Sequence, residues 1–189
     1  MTHSKNQNVV EIYKLGDDML GNKAVKAAFF ISMLTLVGLT FSLQANAACD
    51  LVSTKDGSPL GVKAVDTDTP EAKQFLDTCI NPYTKLFAND AEAAKKGKKL
   101  FGLYSCTQCH GPNAGGQVGP SITDDRWQYA KHITDKGVFE TIAGGSNGGM
   151  FAWHQQLGSP DNPSTDDILK IIGWLRTQYK GGDDRPWLK

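Results

Sequence analysis

The chain alternates between polar, turn-rich stretches and short apolar stripes at helical spacing. Its longest apolar run, residues 27–43, carries no charge over 17 positions; Lys23 and Lys26 precede it, and Gln44 and Ala45-Asn46-Ala47 follow. Basic residues, an apolar stretch and a small-residue A-x-A site, in that order, predict an export signal cleaved after Ala47 or Ala48. The run is at the lower limit for spanning a bilayer, and no basic cluster follows it, so an uncleaved anchor is the weaker alternative. Met19 offers a second start that would give a signal of ordinary length.

After the signal, residues 48–69 are polar and broken by Gly57, Pro59 and Gly61, which predicts an irregular arm. Pro70 opens a short helix at its favoured first position, with Ala72, Phe75 and Leu76 on one face, ending before Asn81-Pro82. Asp90 caps a second helix whose stripe is Ala94, Leu100, Phe101 and Tyr104. Residues 111–120 hold four glycines and read as loop. A third helix over 137–143 turns Val138, Phe139 and Ile142 inward, and residues 144–149 form a glycine-rich turn. Ser164 or Thr165, followed by Asp166 and Asp167, starts a last helix with apolar positions Ile168, Ile171, Ile172, Leu175 and Tyr179, stopped by Gly181. No strand-like alternation competes. The expectation is an all-α fold laid out as a signal (1–47), an arm with a short helix (48–88), the main helical domain (89–182) and a tail (183–189).

Composition adds little. The 189 residues carry 20 basic and 20 acidic side chains, a formal charge of zero, with 40% hydrophobic positions. That suffices for one buried core and lacks the basic excess of a nucleic-acid binder.

The chemistry is concentrated in Cys106-Thr107-Gln108-Cys109-His110, the C-x-x-C-H pattern of covalent c-type haem attachment. Two thiols three residues apart each add to one vinyl group, and the adjacent His is delivered to the iron. A redox dithiol or a zinc site is the alternative, but the chain reads as exported and offers no second Cys or His pair at zinc-finger spacing. The sixth iron ligand follows by elimination. Neutral donors that hold low-spin haem are Met and His, and beyond the signal the chain offers Met150, His132 and His154. Met150 directly follows Gly144-Gly145-Ser146-Asn147-Gly148-Gly149, whose bare backbone can approach a flat macrocycle closely. It is the favoured ligand; His132, His154 and an open site remain as alternatives. The Pro120 carbonyl, ten residues past His110, is the candidate acceptor for the other ring nitrogen of that His, unless Val118-Gly119-Pro120 is simply a rigid turn.

Four further features are readable. In an oxidising compartment, Cys49 and Cys79 favour an intramolecular bridge tying the arm to the first helix, against free thiols or a bridge between two copies. Arg126 and Lys131 either pair with haem propionates or are solvated single charges. Lys95-Lys96-Gly97-Lys98-Lys99 reads as a wet helix face before it reads as a steering patch. Asp183, Asp184 and Trp187 form a tail with no assigned role.

These residues resemble a class I cytochrome c, through Gly97-Lys98-Lys99-Leu100-Phe101 and an aromatic terminal helix with Trp174 and Tyr179. More closely the chain resembles the cytochrome c-L family, through Val65-Asp66-Thr67-Asp68-Thr69-Pro70, Trp127-Gln128-Tyr129, Thr134-Asp135-Lys136-Gly137-Val138-Phe139-Glu140-Thr141-Ile142 and the glycine loop ending at Met150. Phe151-Ala152-Trp153-His154 is bulkier than that family's usual continuation. The resemblance implies the class I cytochrome c fold, one covalent haem c on Cys106 and Cys109, and His110 and Met150 as the axial pair. It also implies Trp127, Tyr129, Gly148 and Gly149 in the haem pocket, although Trp127 and Tyr129 read bottom-up as core aromatics. A calcium ion near the haem is implied too, with no ligands to place.

The function so implied is that of a periplasmic electron carrier, not an enzyme. Its donor would be a PQQ-dependent methanol dehydrogenase, and its acceptor a downstream c-type cytochrome or oxidase. A carrier for another periplasmic dehydrogenase, or a haem sensor or enzyme with an open iron site, is the alternative.

Overall fold

The computed structural model describes residues 48–188; the signal read over residues 1–47, with its cleavage site and Met19, lies outside them. Helices α1 (Pro70–Thr78), α2 (Pro82–Asn89), α3 (Ala91–Leu103), α4 (Thr107–His110), α5 (Asp135–Gly144) and α6 (Thr165–Thr177) are joined by loops with single 3-10 turns at Ala130–Ile133 and Pro186–Leu188. Among the described residues there is no strand. One antiparallel bridge, Val52 with Pro59, folds the arm back on itself.

Local chemistry explains where the helices begin. Thr69, Asn81, Asp90, Thr134 and Ser164 each accept a backbone N–H from the first turn they precede, and Ser164 with Asp167 closes a reciprocal capping box. Asn81-Pro82, read as the stop after α1, is also the cap and first residue of α2, a helix the sequence pattern did not reveal. The last helix ends at Thr177, four residues before the expected Gly181, so Tyr179 lies beyond it. The start of α5 is Asp135, two residues ahead of the expected one.

Helix α6 is the centre of the packing. Ile168, Leu169, Ile171, Ile172 and Trp174 are all buried on it. Two glycines let neighbouring helices cross it closely. A Cβ on Gly97 of α3 would overlap the Lys170 carbonyl and sit 2.6 Å from Trp174 Cβ; one on Gly173 would sit 2.9 Å from the Phe87 ring of α2. Beside the first crossing, Phe101 packs on Trp174 with ring centroids 5.0 Å apart. Phe75 of α1 meets Phe139 of α5 at 4.7 Å, both fully buried, and each contributes about 1.5–3 kcal/mol by leaving water.

Polar groups buried among these helices are paired. Asp166 accepts from Thr69, Tyr83 and Lys170, which joins α6 to the cap of α1 and to α2. Burial works to raise its carboxyl, and these three partners outweigh it, so the group sits below the usual carboxylate range. Glu140 on α5 is likewise fully buried and accepts from Lys131, Lys136 and the Val52 N–H.

Candidate functional site

Phe101 ends the buried stripe of α3. Ser105 then takes a left-handed turn (φ +59°), which starts the single-turn helix α4 carrying the C-x-x-C-H motif. The turn is held by Cys106 N–H to the Phe101 carbonyl and by His110 N–H to the Cys106 carbonyl. One helical turn therefore displays both thiols and the imidazole within a few residues. Cys106 is half-buried and Cys109 exposed, and both are unbridged. Burial pushes the Cys106 thiol up to about 11, with Cys109 adding to the rise.

His110 has a fixed tautomer. Its Nδ1 lies 2.9 Å from the Pro120 carbonyl oxygen, and a carbonyl only accepts, so Nδ1 carries the proton. The Nε2 lone pair is then free, which is the state an iron ligand requires. Val118-Gly119-Pro120 is a tight turn as well: Gly119 N–H donates to the Cys109 carbonyl at 2.8 Å.

Cys106, His110, Pro120 and Met150 all border one cavity of about 250 Å³. Its walls are mostly apolar: Phe101 from α3, Val138 and Ile142 from α5, Ile172 and Leu175 from α6. Val138 and Ile142, read as inward-facing, are only half-buried because their face looks into this space. Trp127, Tyr129 and Gly148 are on the lining; Cys109 and Gly149 are not. A mostly apolar cavity bordered by an imidazole, a thioether and a thiol from an attachment motif fits a haem. Haem ligation needs soft or imidazole donors, and those are the groups present.

Other candidates fall elsewhere. His154 is fully buried off the cavity, accepting the Gln156 N–H at Nδ1 and bonded through Nε2 to Thr165. His132 lines the cavity, but its Nε2 is engaged 2.7 Å from Thr141 Oγ1, and burial first, then Lys131 and Arg176, hold it down to about 4. Lys131 is bound to buried Glu140 at 2.8 Å, so it is neither a solvated charge nor aimed at a propionate. Arg126 is exposed at the cavity rim. Cys49 and Cys79 form a disulfide. Among the described residues, no group of three or more His, Cys, Asp or Glu side chains gathers to hold a metal ion, so an implied calcium has no such cradle.

Sequence reasoning missed Arg176. It is 6% exposed, borders the cavity, pairs with Asp135 at 2.7 Å and donates to the His132 carbonyl at 3.0 Å. Its guanidinium lies 4.2 Å from the centre of the Trp187 ring and 5.7 Å from that of Trp127. The tail therefore packs on residues that border the cavity, with Trp187 edge-on to Tyr179 at 4.8 Å. A signal was present: Arg176 follows Ile172 by four residues, on the apolar stripe of α6, where a charge needs a buried partner.

The chain is similar in sequence and fold to known proteins. A family model described as cytochrome c oxidase, cbb3-type, subunit III matches residues 92–172. Cytochrome c-L of Methylorubrum extorquens is 38% identical over 122 residues, which is 64% of this chain and 56% of that protein. This chain thus spans little more than half the length of that relative. A cbb3-type cytochrome c oxidase subunit CcoP of Rubrivivax gelatinosus is 37% identical over 76 residues, 40% of this chain and 24% of that one. Among solved structures, cytochrome cL of the marine methylotrophic bacterium Methylophaga aminisulfidivorans superposes with TM-score 0.61 at 36% identity, covering 74% of this chain and 87% of that one. Cytochrome cL of Hyphomicrobium denitrificans gives TM-score 0.61 at 37% identity, covering 71% and 76%. The attachment motif, the cavity it borders and these matches together place the chain in the cytochrome c-L family of class I c-type cytochromes.

Proposed function

We propose that this chain is an exported, periplasmic mono-haem carrier that takes single electrons from a PQQ-dependent methanol dehydrogenase and passes them to a downstream c-type cytochrome or oxidase. Cys106 and Cys109 would hold haem c through thioether bonds, and His110 and Met150 would ligate its iron. The observation that carries this reading is the convergence of Cys106, His110 and Met150 on one apolar cavity. The donor is assigned by kinship with cytochrome c-L.

When bound, the haem supplies a one-electron ferric–ferrous couple. The chain's own residues do the rest. The Pro120 carbonyl keeps the Nδ1 proton of His110 in place and its Nε2 lone pair available. Phe101, Val138, Ile142 and Leu175 exclude water, which disfavours the more highly charged state of the site. A Met150 thioether raises the reduction potential over a bis-His pair. Docking to a partner is expected to be small and transient.

Stopped-flow mixing of the oxidised protein with substrate-reduced methanol dehydrogenase tests the donor, with haem reduction followed at two salt concentrations. Fast, salt-sensitive reduction supports it; a normally ligated haem that stays oxidised rejects this donor and keeps the carrier. Met150→Ala tests the ligand, since the variant should turn high-spin and bind carbon monoxide readily when reduced. An unchanged spectrum rejects Met150.

A further inference from the structure

We infer that the N-terminal arm positions the Met150 loop, with Asn147 as the residue that couples the two. The inference rests on the axial role proposed for Met150. The loop closes on itself through Ser146 N–H to the Met150 carbonyl at 2.9 Å, and Gly148 N–H reaches Ser146 Oγ at 3.3 Å. Gly145 has φ +74°, and a Cβ there would sit 2.5 Å from the Met150 carbonyl oxygen, so the closure requires glycine. Gly148 and Gly149 between these bonds are exposed and carry no side chain to pack. A segment this rich in glycine loses much backbone entropy when fixed, so it needs an external hold.

The arm supplies that hold. Asn147 Nδ2 donates to the Lys55 carbonyl at 2.8 Å, across 92 residues. Lys55 sits in the turn of the arm, and that turn is fixed on two sides. At its base, Cys49 is bridged to Cys79, and its N–H donates to the Leu76 carbonyl of α1 at 2.8 Å. Along α5, Val52 N–H donates to Glu140 at 2.8 Å, and Thr54 Oγ1 and Thr141 Oγ1 lie 2.8 Å apart. Leu60 packs so tightly on Gly144 that a Cβ there would come within 2.7 Å of it. Thr141 also meets His132 in the cavity wall, so the same contacts brace the wall and the ligand loop.

A second account makes the arm a cover for the core, since Leu51 and Val62 are buried. The two accounts differ in what they move. A cover changes global stability alone; a positioning element changes how often Met150 leaves the iron. Imidazole binding to the oxidised holoprotein reports the latter, because it competes with Met150 for the metal. The experiment compares wild type with Asn147→Ala, Thr54→Val and the double variant Cys49→Ser/Cys79→Ser. Each is read by imidazole affinity, by the far-red band of Met-ligated ferric haem and by melting temperature.

Loss of one hydrogen bond should shift loop opening by about fivefold, so Asn147→Ala should bind imidazole that much more tightly at a nearly unchanged melting temperature. Thr54→Val should move the same way, and the double cysteine variant furthest. Unchanged imidazole affinity in both Asn147→Ala and Thr54→Val, with the Met band intact in wild type, overturns the inference whatever the melting temperatures do. A wild-type protein with no Met band overturns the axial assignment instead, and the inference falls with it.

Discussion

The imidazole of His110 and the carbonyl of Pro120 are 2.9 Å apart because position 119 between them is glycine. A Cβ there would come 3.2 Å from His110 Cε1 and 3.3 Å from its Nδ1. The ring would have to give by a few tenths of an ångström, away from the turn that carries its acceptor. That bond makes the imidazole a stronger donor to the ferric ion, so weakening it favours the ferrous form. Gly119→Ala should therefore raise the midpoint potential of the holoprotein and alter the hyperfine-shifted ring signals of His110. A potential that falls or stays put would mean the bond does not tune the iron.

Arg176 and Asp135 form a buried ion pair at the edge of the same cavity, exposed by 6% and 8%. Asp135 also accepts from Thr84 of α2, and Arg176 is stacked against Trp187. Removing one partner of such a pair leaves an uncompensated buried charge. Arg176→Leu should cost about 3–5 kcal/mol in denaturant unfolding of the holoprotein. Arg176→Lys should recover only part of it, because an ammonium cannot bond Asp135 and the His132 carbonyl in one plane.

What was legible in the sequence was local or covalent. The attachment motif is set by bond-forming chemistry at fixed spacing, and the caps at Asp90 and Ser164 act within one turn. What was hidden is tertiary. Helix α2 buries Tyr83, Thr84 and Phe87, which do share one helical face, but its eight residues follow a proline that reads equally well as a helix stop, and its place is defined by its fit over Gly173. The chain leaves α6 before Gly181, and Tyr179 beyond it stacks on Trp127 with the rings 2° from parallel. Periodicity placed Val138 and Ile142 on an apolar face, yet it carries no information on whether that face meets protein or a cofactor cavity. Burial of Glu140, beside exposed-looking lysines, was equally invisible until the arm supplied its third donor.

Two glycines five residues apart on α3 make a paired test of the packing at α6. Gly97 faces the crossing, where a Cβ would overlap the Lys170 carbonyl; around Gly102 nothing lies within 4 Å. Gly97→Ala forces the helices apart and should cost about 1–3 kcal/mol, as overpacking does. Gly102→Ala only relieves the entropy of a helical glycine and should gain up to about 1 kcal/mol. Thermal melts of the two holoproteins should move in opposite directions. A shared direction would mean the close approach at Gly97 is not what holds α3 on α6.

Acid sensitivity should come from His154 before it comes from the carboxylates. His154 is fully buried against Phe139, and burial holds it down to about 4 from an ordinary 6.5; the charge of Asp68 acts the other way and is outweighed. Between these two values the unfolded chain takes up a proton that the folded one refuses, so stability falls as pH falls from about 6.5 towards 4. His132, lowered for the same first reason, adds to the trend. Glu140 and Asp166, held below their usual range, lose their contributions only at still lower pH. Going from pH 7 to pH 5, the His154 share of the loss should be about 2 kcal/mol. Denaturant midpoints of wild type and His154→Gln at the two pH values check this: the variant starts less stable at pH 7 and should show the shallower decline. Parallel declines would show that His154 takes up its proton without unfolding the protein.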